Sequence, residues 1–417
     1  MDFLEELEWR GLVKDVTDLD GLREQLKTKT TCYVGIDPTA DSLHIGHLQQ
    51  VLLLTRYQKA GHKVIALMGG GTGMIGDPRP TTERRLITLE EVAHNVECIR
   101  GQVGRFVDFS DPDKGIMLNN FDWLGSISIL EFLRDYGKHF NVANMLKKET
   151  IAKRLETGIS FTEFSYTILQ ALDWLKLYQN YNCQIQFGGS DQWGNLVSGT
   201  DLIKAICGDE AKVFGITSPL ITKADGSKFG KSEGGNIWLD PEKTSAYEFY
   251  QFWVNVGDAE ICTLLRRLSM RAPEEIMKLE ESVKNEPEKR LAQKALAEEL
   301  TEIVHGPEGL AKAKKITDTL FSGSIMDLNA DELREGLKDA AKCEVEDGMS
   351  LIDAMIAAGA ATSRRDARQL IDQGSVQLNG AKVAATDAVL HVADAVDHDF
   401  SILKKGKRNY FVLDFKK

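Results

Sequence analysis

The sequence predicts an α/β protein with a parallel sheet, followed by an all-α unit and a small C-terminal α+β unit. Three observations carry this: short apolar runs alternate with helical stretches up to about residue 220, helical spacing takes over from about 240 to 322, and the charge balance changes after about 348. At 417 residues the chain exceeds one ordinary domain, so two or three separate cores are expected.

The runs from Thr31 to Ile36 and from Lys63 to Met68 have strand length and flank a helical stretch from Leu43 to Lys59. Strand, helix, strand in that order is the pattern of a parallel sheet. The second run leads into Gly69 to Pro78, GGGTGMIGDP, which contains a formal G-x-G-x-x-G at Gly71, Gly73 and Gly76. A dinucleotide fingerprint needs its last glycine to open a helix. Pro78 and Pro80 oppose a helix there, and no Lys-Ser or Lys-Thr follows as in a P-loop. A tight strand-to-loop turn is the plainer reading.

Just upstream, Asp41 or Ser42 is the expected N-cap of a helix carrying His44 and His47 in its first turn. Histidines three apart share a face, at the positive end of the helix dipole, a place suited to phosphate. That spacing alone is poor support for a metal, and none is expected to be bound by the protein. Gly46 between them weakens the helix, which close approach of a flat ligand such as a purine would explain. In the stretch from Phe164 to Tyr178, Tyr166, Gln170 and Asp173 share a helix face amid Ile168, Leu169, Leu172 and Leu175. They face water, or they are buried and need partners. Lys223 to Gly235 holds four glycines and three lysines, either a solvated turn or a loop whose ammonium groups close over a polyphosphate.

Pro273 stands near a helix start, and Asn285-Glu286-Pro287 opens a segment with Leu296, Leu300 and Ile303 at helical spacing before Gly306. Residues 323–347 read as a polar, acidic linker. The net charge of −12 opposes nonspecific binding of nucleic acid or membrane by the whole surface. Residues 351–417 nevertheless carry ten Lys+Arg against eight Asp+Glu, a local +2 that leaves −14 for the rest. Arg364, Arg365 and Arg368, with Lys404, Lys405, Lys407 and Arg408, form either a module for a polyanion or a solvated face. The six cysteines are scattered with no C-x-x-C pair, and no apolar run approaches the roughly 18 to 20 residues of a membrane span. With an acidic N-terminus, these features lead us to expect a cytoplasmic protein without a membrane segment.

His44-Ile45-Gly46-His47 and Lys228-Phe229-Gly230-Lys231-Ser232 resemble the HIGH and KMSKS signatures of class I aminoacyl-tRNA synthetases, in the expected order. Tyr33 to Ala40 (YVGIDPTA), Phe161 to Tyr166 (FTEFSY) and Gly188 to Asn195 (GGSDQWGN) are similar to the bacterial-type tyrosyl-tRNA synthetase family. The resemblance covers nearly the whole chain. It implies a Rossmann-like catalytic domain over 1–220, a mobile lysine loop over 221–238, a helical anticodon-recognition domain over 239–322, the linker, and a ribosomal-protein-like RNA-binding domain over 348–417.

It also implies a chemistry: tyrosine and ATP, with Mg2+, would give tyrosyl-adenylate and pyrophosphate, and the tyrosyl group would pass to the 3'-terminal adenosine of tRNA(Tyr). Tyr33 and Asp173 would hold the phenol, Tyr166, Gln170 and Asp77 the ammonium, and Gln192 would lie at the adenylate junction. His44, His47, Thr39, Lys228 and Lys231 would act on the phosphates; Asp37, Gly46, Gly189, Asp191 and Ser232 would line the ATP side. The basic C-terminal residues would meet tRNA, and a homodimer is expected. Phenylalanine would leave Tyr33 and Asp173 unpaired, and unmade buried hydrogen bonds are expensive.

One departure stands out. After Gly-Asp-Pro, Arg79-Pro80-Thr81-Thr82-Glu83-Arg84 is one residue shorter than in many relatives and has no counterpart of their lysine before Glu-Arg. The rival readings are a tryptophanyl enzyme, a non-catalytic RNA-binding relative, a dinucleotide oxidoreductase and a small-metabolite nucleotidyltransferase.

Overall fold

The computed structural model describes residues 1–417 except Pro80, Thr81, Glu83, 223–228, Glu233, Gly234, Gly323, Lys407, Arg408 and Lys417, and it does not describe the side chains of Glu149, Lys231, Ser232 and Ser322. The chain divides into two compact units: Met1–Thr244 with Phe252–Val304, and Ser245–Gln251 with His305–Lys417.

The first unit is built on a six-stranded sheet of β1 (Asp15–Val16), β2 (Thr31–Ile36), β3 (Lys63–Met68), β4 (Gly115–Asn119), β5 (Ile185–Gly189) and β6 (Phe214–Ser218). The order is β1-β6-β5-β2-β3-β4, and only β1 runs antiparallel. From β2 the chain winds outward through β3 to β4, then crosses back and winds the other way through β5 to β6. Such a reversal opens a crevice beyond the carboxyl ends of the two central strands, the usual ligand position in open α/β sheets. β2, β3 and β5 are buried almost throughout, as strands covered on both faces must be.

Two long helices cover the crevice side. Phe161–Tyr181 is capped by Ser160, whose side chain accepts from Glu163 N, and ends at Asn182 in the left-handed region (φ 50°). Trp193–Cys207 packs beside it, and Tyr33, Ile65, Leu172, Trp174, Leu202 and Ile203 share one core cluster. The helix Ile45–Lys59 is capped not by Asp41 or Ser42 but by His44. At its other end, buried Arg56 donates to the carbonyl of Ser269. Arg10 donates to the carbonyls of Arg266 (3.0 Å), Ser269 (2.9 Å) and Arg271 (2.7 Å), closing the end of the helix Asp258–Leu268. The lysine loop leaves a short hairpin, β7 (Lys231–Ser232) with β8 (Gly235–Asn236).

Pro273 occupies the first turn of the helix Pro273–Asn285, where its missing N–H costs nothing. The last long helix, Leu291–Ser322, breaks at Gly306 (φ 76°, ψ 173°) before Pro307. The helices expected as one unit over 239–322 are therefore divided, the two compact units parting between Val304 and His305.

The second unit is α+β. β9 (Ala341–Val345), β10 (Val376–Leu378), β11 (Ala381–Lys382), β12 (Phe400–Lys405) and β13 (Asn409–Phe415) form a sheet in the order β11-β10-β12-β13-β9. Helices Leu351–Ala357 and Arg364–Asp372 cover it, with Leu351, Met355, Ile371, Leu403 and Leu413 in a common core. The expectation of a linker over 323–347 is corrected. Ile325, Leu328, Leu333 and Leu337 are buried against Phe400 and Val412, and β9 pairs in parallel with β13. Its apolar residues are too sparse to stand out among the acidic ones, yet they suffice for one buried face.

Candidate active site

Tyr33 sits on β2 beside the crossover to β5, opposite Gln186 in register. It is 1% exposed, and its hydroxyl has no hydrogen-bond partner among the described residues. Asp173, on the Phe161–Tyr181 helix, is likewise buried. Its two carboxylate oxygens accept from Trp123 Nε1 (2.8 Å) and Asn120 Nδ2 (2.8 Å). Burial pushes Asp173 up to about 8, against the opposing effect of those two hydrogen bonds, so at neutral pH it is held largely as the neutral acid. Tyr33 is raised too, first by burial and then by Asp173. An orphaned phenol and a buried carboxyl within electrostatic reach form a buried polar pair. Buried polar atoms without partners are rare and call for a ligand group.

The network continues from Asn120, whose Nδ2 also donates to Thr72 Oγ1 (2.8 Å). Thr72 donates to Asp37 Oδ1 (2.7 Å), and Tyr166 donates to Asp37 Oδ2 (2.9 Å). Asp37, expected on the ATP side, thus lies against Tyr166, because β2 ends beside the turn at Thr72. Gln170 Oε1 is buried without a partner. Asp77 accepts from Gln192 Nε2 (2.7 Å) and Asn195 Nδ2 (3.3 Å). Burial raises Asp77 to about 6, with Gln192 opposing. Tyr166, Gln170, Asp77 and Gln192 thus provide acceptors and negative charge near one another, as a substrate ammonium requires.

A pH dependence follows. Protons compete with an ammonium for Asp77, so once Asp173 is protonated, below about pH 8, tyrosine affinity should weaken about tenfold per unit well below pH 6. The substrate ammonium stays charged throughout that range. Titrating tyrosine binding from pH 8 to pH 5 checks this; a flat profile that matches Asp77→Asn would remove Asp77 from the ammonium site.

The glycine run is the turn expected from the prolines. Thr72–Met74 is a single 3-10 turn, Gly71 N donates to Asn120 Oδ1 (2.7 Å), and Gly76 takes φ 79° to deliver Asp77. Among the described residues no helix opens at Gly76.

His44 Nδ1 accepts from Gly46 N (3.0 Å), and His47 Nδ1 accepts from His44 N (3.2 Å). The rings lie 4.1 Å apart. Burial, then His44, pushes His47 down to about 3, so its imidazole is neutral and keeps its other nitrogen for donation. A Cβ at Gly46 would come within 2.7 Å of His44 Cε1. The glycine therefore admits the His44 ring, where the sequence pointed to a flat ligand. The lysine loop meets this helix through backbone: Ile45 N donates to Ile237 O (3.0 Å), Leu239 N to Leu43 O (2.8 Å) and Ile237 N to Gly230 O (3.2 Å). Phe229 packs edge-on against Phe252 at 5.3 Å and at a tilt against Trp253 at 5.8 Å. Lys228 lies outside the described residues, as do the side chains of Lys231 and Ser232.

Gly189 and Asp191 follow β5, where a 3-10 turn Ser190–Gln192 leads into the next helix, and Thr39 is exposed after β2. In the second unit Arg364, Arg365 and Arg368 are exposed on one short helix. Arg364 pairs with Asp353 (2.8 Å), Lys405 donates to Ala360 O (2.7 Å), and Lys404 lies over the Tyr410 ring. Lys407 and Arg408 lie outside the described residues.

Several site residues escaped sequence reasoning: Asn120, Trp123, Thr72 and Lys148. The Asn119-Asn120 pair just past an apolar run was the available signal, since polar residues at strand carboxyl ends line the crevice. Lys148 gave none. Its ammonium donates to Thr167 Oγ1 (2.7 Å) and to Ser198, tying the two covering helices together, and burial lowers it to about 8.

Comparison with known proteins agrees with this geometry. Residues 25–322 match the family model "tRNA synthetases class I (W and Y)", and residues 332–413 match "Tyrosine--tRNA ligase SYY-like C-terminal domain". The chain belongs to the class I aminoacyl-tRNA synthetases. The chain is 49% identical to tyrosine--tRNA ligase 1 of Bacillus cereus and 47% identical to tyrosine--tRNA ligase of Listeria welshimeri, with all of both chains covered in each case. A C-terminally truncated mitochondrial tyrosyl-tRNA synthetase from Aspergillus nidulans superposes with a TM-score of 0.68 at 31% identity, over 77% of this chain and 94% of that one. Within the class, the chain belongs to the tyrosine--tRNA ligase family.

Proposed function

We propose that the protein activates L-tyrosine with ATP and transfers the tyrosyl group to the 3'-terminal adenosine of tRNA(Tyr), in the cytoplasm. The observation that carries this is the buried, partnerless Tyr33 hydroxyl beside Asp173: the pocket ends in groups that a phenol satisfies and a phenyl ring or an indole does not.

In the first step the tyrosine carboxylate attacks the α-phosphorus of ATP, and the bond to pyrophosphate breaks. The nucleophile is already ionised at neutral pH, so no general base is needed, and the rate comes from positioning and charge stabilisation. Tyr33 and Asp173 hold the phenol; Tyr166, Gln170 and Asp77 hold the ammonium, with Gln192 at the reacting end. His44, His47 and Thr39 act on the phosphates, and Lys228 and Lys231 close over the departing pyrophosphate. Gly189, Asp191 and Ser232 line the nucleotide side, Asp37 lies with Tyr166 on the ammonium side, and Mg2+ enters with ATP. The test is tRNA-independent ATP/pyrophosphate exchange with tyrosine, phenylalanine and tryptophan supplied separately. Exchange with tyrosine alone is expected; exchange with tryptophan, or with none of the three, would overturn the reading.

The helices after Ala246 read the anticodon, and the basic C-terminal surface binds the tRNA backbone. Changing Arg364, Arg365 and Arg368 to alanine should raise KM for tRNA several-fold and lower its dependence on salt, as lost phosphate contacts do. ATP/pyrophosphate exchange should stay unchanged. An unaltered salt slope would remove these residues from the interface. A homodimer would cover apolar side chains that the first unit exposes, among them Ile129 (74%), Leu130 (75%) and Phe161 (71%). A monomer by sedimentation at micromolar concentration would contradict it.

A further inference from the structure

Three polar side chains that the site chemistry does not use meet where the carboxyl ends of β5 and β6 approach the helix Ile45–Lys59. Ser218, the last residue of β6, is 1% exposed, and Gln49, in the second turn of the helix, is 4% exposed. Gln49 Nε2 donates to Ser218 Oγ (3.0 Å) and to the carbonyl of Pro219 (3.0 Å). Half-buried Gln50 donates from Nε2 to the same hydroxyl (2.9 Å). Ser218 in turn donates to the carbonyl of Gly188 (3.4 Å), and it stands opposite Gly189 in the register of β5 with β6. A hydroxyl offers two acceptor sites and one donor, so this one side chain uses its full capacity to tie three elements together.

Stability alone does not account for this junction. Oε1 of Gln49 and Oε1 of Gln50 are buried with no hydrogen-bond partner among the described residues. An unmade buried hydrogen bond is expensive, and apolar side chains of the same shape would fill the space without that loss. What the cluster supplies is a fixed distance between two parts of the site. The helix carries His44 at its cap and His47 in its first turn, while Gly188 leads into Gly189 and the turn that holds Asp191. We infer that Ser218, Gln49 and Gln50 are positioning residues that hold the histidine helix in register with the Gly189–Asp191 turn, so that the phosphates and the ribose of one ATP molecule meet their contacts together. This rests on the tyrosine-activation reading above. The three act through the elements they join. Tyr33, Tyr166 and Asp173 lie on β2 and the Phe161–Tyr181 helix, to which the cluster makes no hydrogen bond among the described residues.

The test uses the full-length protein with Ser218→Ala, Ser218→Thr and the triple variant Gln49→Met/Gln50→Met/Ser218→Ala. For each, tyrosine affinity is measured without ATP, the rate constant of adenylate formation is measured against ATP concentration in single turnovers, and the melting temperature is followed by circular dichroism. A displacement of about 1 Å can cost about a hundredfold in rate. Ser218→Ala is therefore expected to keep tyrosine affinity within about twofold and to slow activation about tenfold or more, while Ser218→Thr, which keeps the hydroxyl, stays within about threefold of the parent. The triple variant puts unbranched apolar chains in place of the amides and strands no side-chain donor. It is expected to melt at or above the parent's temperature and still to activate about tenfold or more slowly. A parent-like rate in folded Ser218→Ala, or a rate that returns with stability in the triple variant, would overturn the proposal and leave the cluster a purely structural role. A rate in Ser218→Thr as low as in Ser218→Ala would overturn it too, as would a loss of tyrosine affinity equal to the loss in rate, since the whole pocket would then have moved. If Ser218→Ala fails to fold, the triple variant decides by the same readouts. No activation by the parent protein would instead refute the tyrosine reading itself.

Discussion

Replacing Asp173 with alanine is expected to lower kcat/KM for tyrosine activation by about two to three orders of magnitude and to abolish most discrimination against phenylalanine. The substitution removes the carboxyl beside Tyr33 and deprives two donors of their acceptor, half-buried Trp123 Nε1 and buried Asn120 Nδ2. Asn120 keeps Thr72 as a partner; Trp123 is left with no hydrogen-bond partner shown by the structure. A hydrogen bond between neutral groups contributes about 0.5 to 1.5 kcal/mol, and leaving the tyrosine hydroxyl buried without that partner costs about 1 to 3 kcal/mol. A combined 3 to 4 kcal/mol corresponds to roughly a hundredfold to a thousandfold in rate. Phenylalanine never makes the lost bond, so its activation should fall far less. Competition between the two amino acids in ATP/pyrophosphate exchange measures the ratio directly. An unchanged ratio would mean that the selectivity resides elsewhere.

A second large effect is expected from Gly230→Ala, and it should take the opposite form, with tyrosine binding intact and activation impaired. Gly230 has φ 101°, which side-chain-bearing residues rarely adopt, and an added Cβ would stand 2.8 Å from Ile45 Cγ1. Backbone strain of this kind costs about 1 to 3 kcal/mol, and overpacking against a fixed core side chain about as much again. The loop can relieve both by lifting from the His44 helix. That gives up the bond from Ile237 N to Gly230 O and misplaces Lys231, the next residue. We expect adenylate formation to slow about tenfold to a hundredfold while tyrosine affinity, set by β2 and the Phe161–Tyr181 helix, stays within about twofold. Pre-steady-state activation beside equilibrium tyrosine binding separates the two. Equal losses in both would show that the lysine loop and the phenol pocket are not independent.

The parts of the site legible in the sequence were those whose chemistry repeats at short range. Tyr166, Gln170 and Asp173 declared a shared face through helical spacing, and Asp77 through a glycine turn closed by proline. His44 and His47 were visible as a pair, but their local role was misread: the cap is the histidine itself, and Gly46 serves its ring. The 323–347 stretch was misread because an acidic surface hides a thin buried face. Asn120, Trp123 and Lys148 were not legible, because each acquires its meaning from a partner about 20 to 50 positions away.

The sequence by itself determined the α/β class, the glycine turn and the residue types that a phenol and a polyphosphate require, since these depend on spacing within a few turns of chain. Only the tertiary structure decided that Asp173 is a buried, largely neutral acid, that Asp37 belongs with Tyr166, and that buried Arg154 and Glu163 bond the backbone of Arg79, Thr82 and Arg84. Burial and the pairing of distant polar groups set those properties, and both arise only when the sheet closes and its helices pack down on it.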